Sequence, residues 1–242
     1  MPKIYMESYG CSANQADFEI MKGMLRNSGY VFVNFPEESE VNLINTCAVK
    51  TPTENKMIQR IKKLSETEKP LIVSGCMAKA ERKIIEKVSP ESSLLGPQTI
   101  TKVVEVADST LMGKRVVSIE DLKDEKISLP HIRTNPVIDV IEMSSGCLSS
   151  CTFCITKLAR GHLHSYRPNL IREQIRQAVS EGCREIWLTS QDASAYGREI
   201  GTSCRPFAVD RKHEGKFFAQ SRNDESAPFQ VWNGTERTCQ FL

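Results

Sequence analysis

Apolar residues along the first 112 positions follow two spacings in turn, and this alternation predicts strands that are each followed by a helix. Short apolar runs indicate buried strands, whereas apolar residues three or four positions apart indicate helices with one buried face. The runs are KIYMESYG, VNLINT, PLIVSG and SSLLG, and the helical stripes cover residues 17–27, 51–64, 81–88 and 100–107. Such a series favours a parallel sheet with helices on both faces, a doubly wound α/β fold.

A second, shorter series of elements follows residue 135. Residues 137–143 predict a strand, NLIREQIRQAVSEG predicts an amphipathic helix and EIWLTS predicts another strand. Residues 113–135 are charged and contain Pro130, which indicates a solvent-exposed linker with at most one strand, at residues 115–119. Residues 203–242 show neither spacing and predict an unrelated or disordered tail. We therefore divide the chain into residues 1–116, a linker at 117–135, a second unit at 136–202 and the tail.

Composition and charge limit the cellular compartments and the partners that we expect for the protein. The 242 residues include 32 Lys and Arg against 30 Asp and Glu, and the resulting net charge of +2 neither indicates nor excludes a polyanionic partner. The chain has no apolar run of the roughly 18 residues that a membrane span needs, so we expect no membrane contact. The start, MPKIYMESYG, lacks the apolar core of a secretion signal. Nine cysteines in such a chain indicate the reducing cytoplasm, where clustered cysteines are metal ligands or catalytic groups rather than disulfides.

Three scattered cysteines each follow a predicted strand of the first unit. Cys11, Cys47 and Cys76 are separated by 36 and 29 residues, close to the length of one strand–helix–strand unit. The carboxyl ends of parallel strands meet at one edge of the sheet, which is where ligands bind in open α/β sheets. Any one of these cysteines alone would be interpreted as a core residue. Their shared position predicts a metal site with three thiolates.

Three further cysteines lie in a loop after the first strand of the second unit. Cys147, Cys151 and Cys154 have the spacing Cys-x3-Cys-x2-Cys. A structural zinc ion would need a fourth protein ligand, for which His162, His164 and Cys183 are candidates. A cuboidal iron–sulfur cluster on three thiolates keeps one iron without a protein ligand, so that this iron can bind a substrate. The spacing favours the cluster, with zinc as the alternative.

The order of these parts resembles the tRNA methylthiotransferases, which are radical S-adenosylmethionine enzymes. The similar words are YGCSANQADFE, NTCAVKTPTENKMIQRI, VSGC, GCLSSCTFC, ARGHLHSYRP and IWLTSQDASAYGREIGT. The second and the last resemble most closely the archaeal and eukaryotic branch that acts on threonylcarbamoyladenosine. The resemblance covers residues 3–202 and adds a radical S-adenosylmethionine (β/α) partial barrel, of which residues 136–202 would form the first part.

The resemblance implies two 4Fe-4S clusters, on Cys147, Cys151 and Cys154 and on Cys11, Cys47 and Cys76, and S-adenosylmethionine bound at the first of these. It implies synthesis of 2-methylthio-N6-threonylcarbamoyladenosine next to the anticodon of a tRNA, and it names neither the electron donor nor the sulfur source. A complete barrel needs on the order of 200 residues at ~30 per unit. We therefore expect this chain, truncated after about residue 202, to be inactive and to bind tRNA weakly without the family's C-terminal RNA-binding domain.

The alternative to an enzyme is a non-catalytic fragment that binds iron–sulfur or zinc and interacts with a partner. Some single residues also have two interpretations. Asn14 either orients the loop of Cys11 or caps a helix. Arg160, Arg167 and the SQD at 190–192 either face the barrel mouth, to contact S-adenosylmethionine or tRNA, or form surface ion pairs and caps. We expect Cys183 to be inert.

Overall fold

The computed structural model describes residues 1–48 and 51–202, with backbone only at 51–53, and the backbone of 216–221 and 231–232. Its first sheet has six strands: β1 Lys3–Ser8, β2 Val31–Val33, β3 Val41–Thr46, β4 Leu71–Gly75, β5 Ser93–Leu95 and β6 Val117–Ser118. They are all parallel and lie in the order β2-β1-β3-β4-β5-β6. The helices between them are α1 Ser12–Asn27, α2 Thr51–Ser65, α3 Cys76–Ala80, α4 Arg82–Val88 and α5 Val103–Leu111.

Both faces of the first sheet are covered by helices, which confirms the predicted doubly wound α/β fold. On one face α1 and α5 bury Met21, Leu25 and Val103 against the strands. On the other face α2 and α4 bury Ile61 and Ile85. Full burial of one such side chain stabilises the fold by about 1.5–3 kcal/mol, so the two apolar layers fix the register of the sheet and the positions of its strand ends.

A second sheet begins with the strand predicted after the linker. It contains β7 Ile138–Glu142, β10 Glu185–Ser190, β11 Lys216–Ser221 and β12 Val231–Trp232, in the order β12-β11-β10-β7. Between β7 and β10 lie the short pair β8 Ser144–Ser145 and β9 His164–Ser165, and the helices α6 Ile155–Arg160 and α7 Pro168–Ser180. One face of β7 and β10 is covered by Ile171, Ile175 and Ala178 of α7. The other side contacts α1, so this helix packs between the two sheets.

The tail differs from its sequence-based expectation in two places. The absence of an apolar period predicts no strand after residue 202, but Lys216–Ser221 (β11) pairs in parallel with the whole of β10. Val231–Trp232 (β12) then pairs antiparallel with β11. The expectation of a tail without regular elements is therefore wrong for these eight residues, which extend the second sheet by two strands. Its other residues lie outside the part of the chain that the structure describes. The predicted boundaries after residues 116, 135 and 202 stay predictions.

Residues 120–125 of the linker are largely exposed, as its charges suggest, but other parts of it are buried. Its first residues form β6 within the first sheet, inside the predicted strand at 115–119. Lys126 and Ile127 are only 5% and 6% exposed. A Cβ atom on Gly23 of α1 would lie 2.2 Å from the carbonyl oxygen of Pro130, so the linker runs directly along this helix. The expectation of solvated charges is wrong for Lys126, because its ammonium group pairs with buried carboxylates that the sequence does not place beside it.

His131, near the end of the linker, contacts Asp139 in the second sheet. Its Nε2 lies 3.2 Å from Oδ1 of the buried Asp139, to which Arg133 also donates a hydrogen bond at 2.9 Å. The hydrogen bond to Asp139 raises the pKa of His131, although burial opposes the shift. Burial alone would raise the pKa of Asp139, but His131 and Arg133 lower it.

We expect the His131→Gln substitution to destabilise the protein more in acid than in base. Because the folded-state pKa of His131 lies above the unfolded value of about 6.5, its contribution is fully present below that pH and is lost as pH rises through the folded-state pKa. Urea unfolding at about pH 5.5 and about pH 9 measures the difference. His162→Gln, at an exposed side chain, is the control. An equal loss of stability for His131→Gln at both pH values would contradict the assignment.

None of the helices in the described part of the chain combines the length and the apolar composition that a membrane crossing requires.

Candidate functional site

The first three cysteines stand at the carboxyl ends of adjacent strands, as the sequence predicts. Cys11 precedes α1 after β1, Cys47 follows β3, and Cys76 is the first residue of α3 after β4. The strands β1, β3 and β4 are neighbours in the sheet. A Cβ atom on Gly10 would lie only 3.0 Å from the Cβ of Cys47, so the loops of Cys11 and Cys47 approach closely. Cys47 and Cys76 are buried, whereas Cys11 is partly exposed.

Asn14 ties the three cysteine loops together. Its Nδ2 donates to the carbonyl oxygens of Tyr9, at 3.0 Å, and Thr46, at 2.8 Å, which precede Cys11 and Cys47. Its Oδ1 accepts a hydrogen bond from the Cys76 thiol at 3.5 Å. The side chain is completely buried. Of the two interpretations of Asn14, these contacts match loop orientation, since they join all three loops.

The second set of cysteines lies on a more open loop between β8 and α6. The backbone N–H of Cys147 donates to the Gly161 carbonyl at 3.2 Å, and that of Cys154 donates to the Cys151 carbonyl at 3.2 Å. Lys157 donates to the Cys147 carbonyl, which closes the loop from the side of α6. Cys151 is exposed, and Cys147 and Cys154 are partly exposed. The thiols of this loop can therefore be reached from solvent.

Cys183 lies apart from this loop. It follows α7 and precedes the amino end of β10, whereas Cys147 follows the carboxyl end of the parallel strand β7. Its thiol donates to the Pro136 carbonyl at 3.6 Å, and burial raises its pKa. This position removes Cys183 from the candidates for a fourth zinc ligand and agrees with the expectation that it is inert.

Neither set of thiols forms a ready-made site for a single metal ion. Within the residues described, no three His, Cys, Asp or Glu side chains converge closely enough to hold one ion. A zinc ion needs its ligands at one point, about 2.0–2.3 Å from the metal. A cuboidal cluster is larger, and each thiolate binds a different iron, so its ligands stand further apart. The first set of thiols comes from three loops and the second from a single loop, and a cluster on either set stays a prediction.

Between the two sets of cysteines lies a buried group of four charged side chains, here named the Arg160 cluster: Asp17, Lys126, Glu142 and Arg160. Arg160 donates to Asp17 at 2.7 Å and to Glu142 at 2.8 Å. Lys126 donates to Asp17 at 2.6 Å and approaches Glu142 at 3.5 Å. All four side chains are at most 4% exposed, so two cations neutralise two anions in the interior.

Arg160 joins the cluster to both cysteine sites. It ends the short helix α6 that begins directly after Cys154, and its Nη2 donates to Oδ1 of Asn14 at 2.9 Å. Burial alone would lower the pKa of Arg160, but the negative charges of Asp17, Cys76, Glu142 and Cys11 raise it well above its usual value. Arg160 is 1% exposed, so the alternative that it forms surface ion pairs is wrong.

The other polar residues considered in the sequence analysis lie outside the Arg160 cluster. Arg167 precedes α7 and is exposed. Gln191 is buried and accepts a hydrogen bond from the Gly146 N–H at 2.6 Å, which supports the start of the Cys147 loop. Asp192 accepts from the Ser194 N–H at 3.1 Å and caps a short 3-10 helix. Lys126 is the functional candidate that sequence reasoning missed, because a lysine in a charged segment is normally exposed.

The known proteins to which the chain is similar in sequence include enzymes of one kind. The family model described as "Uncharacterized protein family UPF0004" matches residues 3–96. The probable threonylcarbamoyladenosine tRNA methylthiotransferase of Methanothermobacter thermautotrophicus is 42% identical over 203 residues, which cover 82% of this chain and 47% of the relative. The threonylcarbamoyladenosine tRNA methylthiotransferase of Homo sapiens is 38% identical over 208 residues, which cover 83% of this chain and 36% of the relative. The chain thus spans about half the length or less of these relatives, and the family resemblance is confirmed over most of the chain.

Solved structures support the fold. The radical S-adenosylmethionine methyltransferase TsrM from Kitasatospora setae, with cobalamin and an iron–sulfur cluster bound, superimposes with a TM-score of 0.58 at 10% identity. The match covers 83% of this chain and 50% of that protein. The form of TsrM with tryptophan and an S-adenosylmethionine analogue gives a TM-score of 0.56. This similarity confirms the predicted α/β fold class.

Proposed function

We propose that this chain, a relative of the threonylcarbamoyladenosine tRNA methylthiotransferases, holds two 4Fe-4S clusters and binds S-adenosylmethionine for the methylthiolation of threonylcarbamoyladenosine in tRNA. Residues 1–116 would supply Cys11, Cys47 and Cys76 for one cluster. Residues 136–202 would supply Cys147, Cys151 and Cys154 for the other, at which S-adenosylmethionine binds. The identity to relatives with this activity supports the assignment.

The observation that carries the proposal is the direct contact between the two cysteine sites through Arg160 and Asn14. Arg160 lies one short helix after Cys154, and Asn14 binds the loops of the other three cysteines. A reaction that generates a radical at one cluster and uses sulfur at another needs both sites in one fixed arrangement. A buried charge network with two anions and two cations provides such an arrangement, since any relative movement would leave a buried charge unpaired.

The side chains have distinct tasks in this assignment. When bound, the cluster on the Cys147 loop would supply the electron that cleaves S-adenosylmethionine to a deoxyadenosyl radical, and the other would supply the site for the transferred sulfur. Cys151 is exposed and lets the cofactor approach. Gln191 holds the N–H of Gly146, next to Cys147. Arg160 lies close enough to Cys76 and Cys11 for their negative charges to raise its own pKa, so it stays a cation beside the first cysteine site.

The proposed partner is a tRNA that carries threonylcarbamoyladenosine. The net charge of +2 gives the chain little general attraction to phosphates, so we expect its own affinity for tRNA to be weak and to fall further with salt.

The proposal is tested by anaerobic reconstitution with iron and sulfide, followed by dithionite and S-adenosylmethionine. The expected inactivity concerns the complete methylthiolation, whereas we expect the cluster on the Cys147 loop to cleave S-adenosylmethionine, so that deoxyadenosine forms. We expect Cys151→Ser to abolish this cleavage because the cluster loses a ligand. Cys183→Ser, at a cysteine outside both sites, should change nothing. Bound iron without deoxyadenosine would favour the alternative of a non-catalytic metal-binding protein. Nucleoside mass spectrometry of added tRNA tests, in the same reaction, the expectation that this chain yields no methylthiolated product.

A further inference from the structure

A cavity of about 140 Å³ lies between the linker and the β8–β9 pair. From the first unit and the linker it is lined by Gln98, Asp121 and Lys123, and from the second unit by Ser145, Arg160 and His164. Ser145 is two positions before Cys147, so the cavity adjoins the base of the second cysteine loop. It is also close to the first cysteine site, because Arg160 reaches Asn14.

Three of the residues that line this cavity each carry a buried polar atom that has no hydrogen-bond partner among the described residues. These atoms are Oγ of Ser145, Nε of Arg160 and Nε2 of His164. Ser145 is 5% exposed and Arg160 1% exposed. Buried polar atoms in folded proteins are nearly always bonded. Three unbonded atoms around one cavity therefore indicate a polar ligand or ordered water.

The chemistry of these atoms selects a ligand that accepts hydrogen bonds. The Nε–H of Arg160 can only donate, the Ser145 hydroxyl can donate, and Nε2 of His164 donates in one tautomer. The carboxylates in the wall already have donors of their own. Oδ1 of Asp121 accepts from Lys79 at 2.5 Å and from Gln98 at 2.9 Å, and Asp124 accepts from Thr101. The groups of the wall that lack a partner are hydrogen-bond donors, and such donors suit a ligand that carries a carboxylate.

The size of the cavity limits what enters it. A volume of about 140 Å³ corresponds to roughly four or five waters at about 30 Å³ each. Whole drug-sized ligands occupy about 300–1,000 Å³. The cavity therefore takes a small acidic group, either free or at the end of a larger molecule whose remainder stays outside.

We propose that Ser145, Arg160 and His164 bind the carboxylate of the threonylcarbamoyl group, so that this cavity selects modified adenosine over adenosine. The assignment to that group rests on the proposed function. In threonylcarbamoyladenosine the amino group of threonine forms the carbamoyl link, and its carboxylate remains ionised at the far end from the base. The donors of the cavity match this carboxylate, which plain adenosine lacks.

The test is a titration of the 242-residue chain with threonylcarbamoyladenosine nucleoside, its neutral methyl ester and adenosine, followed by NMR. We expect the acid to bind about tenfold or more tightly than the ester, because hydrogen bonds to a charged group are the strong ones. Ser145→Ala and His164→Phe should each weaken binding about 5- to 10-fold. His164→Phe keeps a ring in the edge-to-face contact with Tyr166, whose centroid lies 5.3 Å away.

Ser144→Ala is the matched control. Its Oγ is also buried and unbonded within the described chain, but Ser144 does not line the cavity. Equal affinity for acid and ester, or equal loss in Ser144→Ala and Ser145→Ala, would overturn the proposal. Acetate or free threonine that binds as tightly as the nucleoside acid would overturn the assignment to threonylcarbamoyladenosine. Failure of the iron and deoxyadenosine assays would instead reject the proposed function and leave a measured selectivity for the acid standing.

Discussion

Replacing Arg160 with methionine should lower the free energy of unfolding by about 3–5 kcal/mol, the usual cost of removing one partner from a buried ion pair. Methionine has a similar length but cannot neutralise Asp17 and Glu142, which would then share Lys126 alone. It also removes one of the two donors to Oδ1 of Asn14, the one at 2.9 Å, and leaves only the Cys76 thiol at 3.5 Å among the described residues. We expect Arg160→Lys to be intermediate, because one ammonium group keeps the charge but cannot reach all three acceptors.

The measurement is the urea midpoint of each variant, with Arg82→Met as the control. Arg82 also pairs with a carboxylate, Glu86, at 2.9 Å, but its side chain is 43% exposed. Exposed pairs are screened by water and contribute little, so the control should shift the midpoint far less. Similar shifts for Arg160→Met and Arg82→Met would show that the Arg160 cluster does not hold the two sheets together.

Replacing Cys11, Cys47 and Cys76 with alanine should remove about half of the iron from the reconstituted protein, on the order of 4 out of 8 atoms. Replacing Cys147, Cys151 and Cys154 should remove the other half. The two sites lie on different loops, with Asn14 and the Arg160 cluster between them, so each should load independently. Cys183→Ala should retain all of the iron, because its thiol points to the Pro136 carbonyl at the opposite end of the second sheet.

These losses are measured after gel filtration by iron analysis and by the iron–sulfur charge-transfer absorbance at about 400 nm. If either triple variant lost all of the iron, the two sets of cysteines would belong to one site. If both variants retained it, the ligands would lie elsewhere.

The positions of the cysteines could be predicted because strand ends are marked by local patterns. VNLINT is buried along its whole length, and Cys47 follows it immediately, so a short apolar run was sufficient to place the thiol. The same holds for Cys76 after β4. The three-residue β2 and the two-residue strands β8 and β9 show no apolar period, and the sequence does not predict them.

The Arg160 cluster could not be predicted, since it depends on long-range packing rather than on local pattern. Asp17 and Arg160 are separated by 143 residues, and Lys126 and Asp17 by 109. From the sequence, each of these residues is expected to be an exposed charged side chain, because charged side chains are rarely buried unless they are paired. Only the position of α1 between the two sheets reveals that they meet.

The most direct test of the central claim, that the two sets of cysteines hold iron–sulfur clusters, is the acid-labile sulfide and metal content of the unaltered chain after anaerobic reconstitution. We predict about 8 sulfide and about 8 iron per chain, with negligible zinc. Sulfide is decisive because a zinc site contains none. Stoichiometric zinc without sulfide, and without visible absorbance, would contradict the account.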